Sequence, residues 1–139
     1  MSTEENKAVL RRNEEVFNKG NLAVADETIA TNYILHGPGG QEFKGPEGFK
    51  QMVTMYRTAF PDLHVTIGNM VAEGDNVAHR LILRGTHKGD LMGIAPTGKQ
   101  VTLSAITISR FAGGKEVEAW TNSDQLDMMQ QLGIATPMG

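Results

Sequence analysis

Residues 63–86 read Leu-His-Val-Thr-Ile-Gly-Asn-Met-Val-Ala-Glu-Gly-Asp-Asn-Val-Ala-His-Arg-Leu-Ile-Leu-Arg-Gly-Thr. Two runs rich in β-branched and apolar residues, 63–72 and 77–86, flank Glu73-Gly74-Asp75-Asn76, a combination that predicts a long antiparallel hairpin. The pattern repeats downstream. A loop with glycine and proline, 87–98, leads into a strand over 101–111, then a turn at Ala112-Gly113-Gly114-Lys115 and a last strand over 116–123. A short amphipathic helix over 125–132 follows, stopped by Gly133.

Upstream of the hairpin the period changes from two to three or four. Ser2 and Thr3 can cap a first helix, Glu4 and Glu5 suit its positive end, and Gly20 closes it after Lys19. Its apolar residues Val9, Leu10, Val16 and Phe17 recur at helical spacing, with Asn13 standing where an apolar residue is expected. A short helix is expected over 22–29, then a strand over 33–36 and a second strand segment over 41–44, separated by a His-Gly-Pro-Gly-Gly loop. Pro46 starts a third helix carrying Phe49, Met52, Val53, Tyr56 and Phe60, which Pro61 and Asp62 end.

Helices first and hairpins afterwards predict an α+β fold. The expected form is a cone-shaped α+β barrel, a curved and mostly antiparallel sheet with three N-terminal helices enclosing an apolar pocket. No repeat, low-complexity tract or linker divides residues 1–139, so one domain is expected. Leu81 and Leu83 alternate with Ile82, and Leu103 and Ala105 with Ile106 and Ile108, so these strands are apolar on both faces. One face would line the pocket; the other needs a cover, and a homodimer through the outer sheet face is the simplest one.

Composition narrows the function by exclusion. Thirteen Lys and Arg against sixteen Asp and Glu give a formal charge of -3, too mild and mixed for a nucleic-acid or membrane partner. Zero cysteines remove disulfides, thiolate nucleophiles and Cys-based metal sites. No secretory signal pattern opens the chain and no apolar run reaches the roughly 18 residues of a membrane helix, so a cytoplasmic protein is expected. Phosphate loops, Gly-x-Gly-x-x-Gly, nucleophile elbows and His-Glu-x-x-His are missing, and His36, His64, His79 and His87 lie far apart, so no metal site is expected.

What remains is a set of polar residues within apolar strands. Alternation puts Glu118, Trp120, Asn122 and Asp124 on one face, and the bulk of the only tryptophan points that face inward. An inward Asp124 would have its pKa raised by desolvation and be poised for proton transfer; alternatively Asp124 caps the helix that begins at Gln125. Thr102, Ser104, Ile106, Ile108 and Arg110 share one face of the preceding strand, and Arg110 is either a surface cation or an anion holder beside Asp124. His36 ends the first strand at the Gly-Pro loop, as a structural or a catalytic residue. Asn13, Phe17, Met52, Tyr56, Ser104, Ile108, Trp120 and Asn122 are the expected pocket lining.

Several short stretches, in order, carry a resemblance: Glu-Val-Phe-Asn-Lys-Gly-Asn at 15–21, His-Gly-Pro-Gly-Gly at 36–40, Gly-Pro-Glu-Gly-Phe at 45–49, Ala-Phe-Pro-Asp-Leu at 59–63, Arg-Gly-Thr-His-Lys-Gly at 84–89 and Gly-Ile-Ala-Pro-Thr-Gly-Lys at 93–99. With Trp120, Asp124 and Gln130-Gln131-Leu132-Gly133, the chain from about Asn6 to Gly133 resembles the SnoaL-like polyketide cyclase (ester cyclase) family of the nuclear transport factor 2-like superfamily. The resemblance implies a dimeric cone and a cofactor-free intramolecular aldol condensation or isomerisation on a small apolar carbonyl compound. It implies an acid/base role for Asp124, a pocket histidine at His36, and Arg110 at the place of a second one. A non-catalytic binding module of the same fold, or an epoxide or ester hydrolase, are the alternative readings.

Overall fold

Local chemistry sets the first element. In the computed structural model, which describes residues 2–134, the Ser2 hydroxyl accepts from the Glu5 amide while Glu5 reaches back to the cap, and helix α1 (Thr3–Lys19) begins. Gly20, at φ 73°, ends it by donating to the Val16 carbonyl. Its buried face is Asn6, Leu10, Asn13 and Val16, so the asparagine that interrupts the apolar stripe is buried with it.

The expected second helix is shorter than its apolar residues predict. A 3-10 turn over Leu22–Val24 leads into a single helical turn, α2 (Ala25–Thr28), and Ile29 already belongs to strand β1 (Ile29–His36). The β-branched Ile29 pairs with β6 instead of continuing the helix. Then come β2 (Glu42–Lys44), helix α3 (Gly45–Ala59), β3 (His64–Glu73), β4 (Asn76–Thr86), β5 (Gln100–Ala112), β6 (Lys115–Ser123) and α4 (Gln125–Gln131). The β5–β6 hairpin turns on Gly113 and Gly114 at φ 59° and 82°, the pair of left-handed positions that a tight two-residue hairpin needs.

The six strands form one sheet in the order β2-β1-β6-β5-β4-β3, antiparallel except between β1 and β6. The α+β class and the curved, mostly antiparallel sheet are as expected; the sheet stays open, with β2 and β3 as its two edges. The helices complete the cone. Asn18 of α1 donates to the Val65 carbonyl and accepts from its amide, and Glu14 accepts from the Ile67 amide, so side chains of α1 satisfy the free edge of β3.

Three apolar clusters hold the layers together. Val16, Ala25, Ile29, Tyr33, Leu35, Phe49, Val53 and Ala119 join the helices to β1 and β6. Phe60, Leu63, Val65, Leu83, Leu91, Val101, Leu103, Met128 and Leu132 join β3–β5 to α4. Leu10, Ile67, Val77 and Phe111 close the third. The single-domain expectation for 1–139 includes Met1 and residues 135–139, which lie outside the described residues. Among the described residues no helix is long and apolar enough to cross a membrane.

Candidate active site

Members of all three clusters face a common cavity of about 130 Å³ between the helices and the inner side of the sheet. Its walls are mostly apolar: Phe17 from α1, Phe49, Met52, Met55 and Tyr56 from α3, and Leu81, Leu83 and Leu103 from the sheet. Polar side chains gather on the sheet side, from His79 of β4, Thr107 and Ser109 of β5, and Glu116, Thr121 and Ser123 of β6. No lysine or arginine among the described residues lines it.

Glu116 is the buried carboxyl at the centre of this arrangement. A bulge brings it there: Arg110 pairs with Glu118 and Phe111 with Glu116, so Val117 is an extra residue and the alternation of β6 slips by one. Glu116 therefore faces inward together with Ala119, Thr121 and Ser123. Asn13 donates to its carboxylate at 2.8 Å and, through its own carbonyl oxygen, accepts from the Thr28 hydroxyl at 2.6 Å. Burial pushes the Glu116 carboxyl up to about 7, against the opposing pull of Asn13 and the nearby Ser109 hydroxyl, both of which favour its charged form. Its charge adds to burial in raising the Tyr33 phenol well above its ordinary range.

Glu14 of α1, Tyr33 and Tyr56 also line the cavity; beside Glu116 on the sheet side stands His79, whose Nε2 lies 3.0 Å from the Ser109 hydroxyl. Burial lowers it to about 4, so it is neutral around pH 7. Its Nδ1 is buried and has no partner, which favours the tautomer with the proton on Nε2, since a bare acceptor costs less than an orphaned N–H. The sheet side of the cavity thus holds, in Glu116, a carboxyl able to gain or lose a proton near neutrality and, in His79, a histidine that stays uncharged.

The structure divides the residues expected from sequence into two groups. Asn13, Phe17, Met52 and Tyr56 line the cavity. Ser104, Ile108, Arg110, Trp120 and Asn122 do not; they face out from the sheet, Trp120 being 40% exposed. These residues do share a face, as expected, but it is the outer one. On β6 the cavity side is given to small residues, Ala119, Thr121 and Ser123, and the indole instead stacks on the His36 ring at 5.7 Å. His36 also faces out, 2.8 Å from Glu118, and Arg110 donates to the same carboxylate. The His36 hydrogen bond first, and Arg110 second, hold the Glu118 carboxyl below its usual range.

Asp124 takes the capping alternative. Its carboxylate accepts from the Asp127 amide at 3.0 Å at the start of α4, and the residue is exposed and outside the cavity wall. Asp124→Ala is expected to cost about 1 kcal/mol of stability, read as a lower urea midpoint. Turnover should be unaffected; a strongly reduced rate in a folded Asp124→Ala protein would return the acid/base role to this residue. Glu116, Ser109 and His79 are not among the residues expected from sequence, although Asn13 in the apolar stripe marks the place where a buried polar partner has to be. Among the described residues no three His, Asp or Glu side chains gather to hold a metal ion.

The model of the SnoaL-like polyketide cyclase family matches residues 7–132. The chain belongs to that family. It is 31% identical over 132 residues to an aklanonic acid methyl ester cyclase of Streptomyces peucetius, covering 93% of this chain and 91% of that protein. It is 28% identical over 125 residues to the nogalonic acid methyl ester cyclase of Streptomyces nogalater, covering 87% and 92%. The solved structure of IdmH from Streptomyces antibioticus, 34% identical, superposes with a TM-score of 0.81 over 92% of this chain and 98% of that one. Family and relatives agree with the cyclase-type enzyme that the sequence motifs imply. In this SnoaL-like chain the inward carboxyl of the last strand is Glu116, ahead of Trp120, and not Asp124 behind it.

Proposed function

We propose that this SnoaL-like protein catalyses a cofactor-free intramolecular aldol condensation or isomerisation of a small apolar carbonyl compound, with Glu116 as the proton carrier. The observation that carries the reading is a buried carboxyl, raised to about 7, in the wall of an apolar cavity that no lysine or arginine among the described residues lines. A base with a pKa near the working pH combines a useful ionised fraction with enough basicity. The Glu116 carboxylate takes the proton next to the substrate carbonyl, and the resulting enolate carbon attacks a second carbonyl of the same molecule. The alkoxide that forms takes the proton back from the Glu116 carboxylic acid, so the reaction needs no co-reactant.

Size supports a ligand smaller than a polycyclic ester. A cavity near 150 Å³ accepts a benzene ring, and this one is about 130 Å³. Hydrogen–deuterium exchange in D₂O, followed by NMR, tests the proton step directly on compounds of this class. A panel of one-ring β-keto esters is assayed, with aklanonic acid methyl ester as the large comparator. At least one small ester should exchange its α-proton faster with the protein than in buffer; equal rates across the panel would contradict the reading.

The same proposal includes a homodimer through the outer sheet face, where Ile106 is 57% and Ile108 45% exposed beside Trp120. Support comes from the continuity of this apolar stripe with the His36–Glu118–Arg110 cluster, which carries both signs of charge and so can face its own copy. Sedimentation should give twice 15.1 kDa for the wild type and a monomer for Ile106→Glu. A monomeric wild type would overturn this part. The cytoplasmic setting, which a chain without cysteine fits, belongs to the same proposal.

A further inference from the structure

Beyond Glu116, one feature of the cavity wall has no role in the proton step. Thr107 and Thr121 stand opposite each other across β5 and β6, and their hydroxyls are 2.8 Å apart. Both line the cavity. Each hydroxyl has one proton and two lone pairs, so when one donates to the other, the second keeps an uncommitted O–H. Among the described residues no other hydrogen bond engages either group. One inward-facing row, Ser109 with Ala119, lies between this pair and the row of Glu116. One row is about 7 Å, and the Glu116 side chain extends back toward Ser109, so the carboxyl and the pair are neighbouring stations on one wall.

The geometry points to the Thr107–Thr121 pair as a binding site for one oxygen of the ligand, the carbonyl oxygen that becomes an enolate when Glu116 removes the adjacent proton. This inference rests on the reading of Glu116 as proton carrier and adds the class of ligand: an uncharged molecule presenting a single oxygen acceptor to the hydroxyl pair. A hydroxyl donor stabilises negative charge developing on that oxygen without itself needing to ionise. An apolar wall around it raises the value of that one hydrogen bond.

Phenol and toluene are probes of matched size, the first with the oxygen and the second without it. Binding of each to wild type, Thr107→Val, Thr121→Val and Thr121→Ser is measured by NMR titration, with α-proton exchange and the Glu116 titration followed alongside. Phenol affinity should fall about three- to tenfold in both valine variants, toluene affinity should stay within about twofold, and the serine variant should retain phenol binding. Equal losses for the two probes would mean that the pair only shapes the wall, and unchanged phenol affinity would mean that it holds no ligand oxygen. Failure of wild type to bind either probe would also overturn the inference. If phenol binding ignores the threonines while Glu116 titrates near 7, the oxygen site falls and the proton carrier stands. If phenol discrimination holds while Glu116 titrates as an ordinary carboxyl, the reverse follows.

Discussion

Glu116→Gln is expected to lower the rate of α-proton exchange and turnover by about 10²- to 10⁴-fold, the range that a positioned general base supplies. Glutamine keeps the shape of the side chain and an oxygen that can accept from Asn13, so the cavity should still bind its ligand within a few-fold. The wild-type rate should also rise with pH through about 7 and level off above it, because only the carboxylate accepts the proton. In Glu116→Gln that rise should disappear along with the rate. A variant that keeps both the wild-type rate and the wild-type pH profile would place the base elsewhere, with Asp124 the remaining candidate carboxylate from the sequence. The comparison with Asp124→Ala, where only a cap is lost, makes the two carboxylates separable in one assay.

The second large effect is on stability. The folded Glu116 carboxyl holds its proton up to about 7, while an unperturbed glutamate titrates at 4.5. Below 4.5 both states carry the proton and the favourable contribution of the neutral buried group is complete. As pH rises past 4.5 the unfolded chain alone releases the proton, so stability falls until the folded carboxyl also ionises near 7. The whole loss is about 3 kcal/mol. Glutamine has no such titration. Relative to wild type, Glu116→Gln should therefore gain about 3 kcal/mol between about pH 4 and about pH 8, measured as the change in the difference between urea unfolding free energies. His79 works in the opposite sense, since its folded value near 4 lies below 6.5 and its contribution grows as pH rises from about 4 to 6.5. Both proteins contain His79, so its effect cancels in the difference. A difference that stays constant with pH would show that the buried carboxyl is not protonated at neutrality.

Much of the fold is written in local chemistry that a sequence displays directly. The Ser2–Glu5 capping box, Gly20, Pro46 and the Gly113-Gly114 turn each act within a few residues, and the elements they bound lie where those residues place them. Ile29 is the exception at short range, because its pairing partner Glu116 is distant in sequence. The site is less legible for a related reason. Strands apolar on both faces give no sign of which face is inward, and the largest side chain, Trp120, is a poor guide because a flat ring can stack on His36 outside the cone. The bulge at Val117 then changes the parity of β6, so Glu116, two residues from Glu118, lies on the opposite face. Desolvation acts on a carboxyl of β6 itself, Glu116, while Asp124 beyond the strand's end caps α4. Asn13 is the legible clue: a polar side chain in the apolar stripe of α1 requires a buried partner, and that partner is 103 residues away.

The proton affinity of Glu116 is the quantity on which the proposed chemistry rests. In protein labelled with ¹³C at the glutamate carboxyl, the resonance that vanishes in Glu116→Gln can be followed across the acid-to-alkaline range. A midpoint near 7 is the expected result, and a midpoint near 4.5 would contradict Glu116 as the proton carrier.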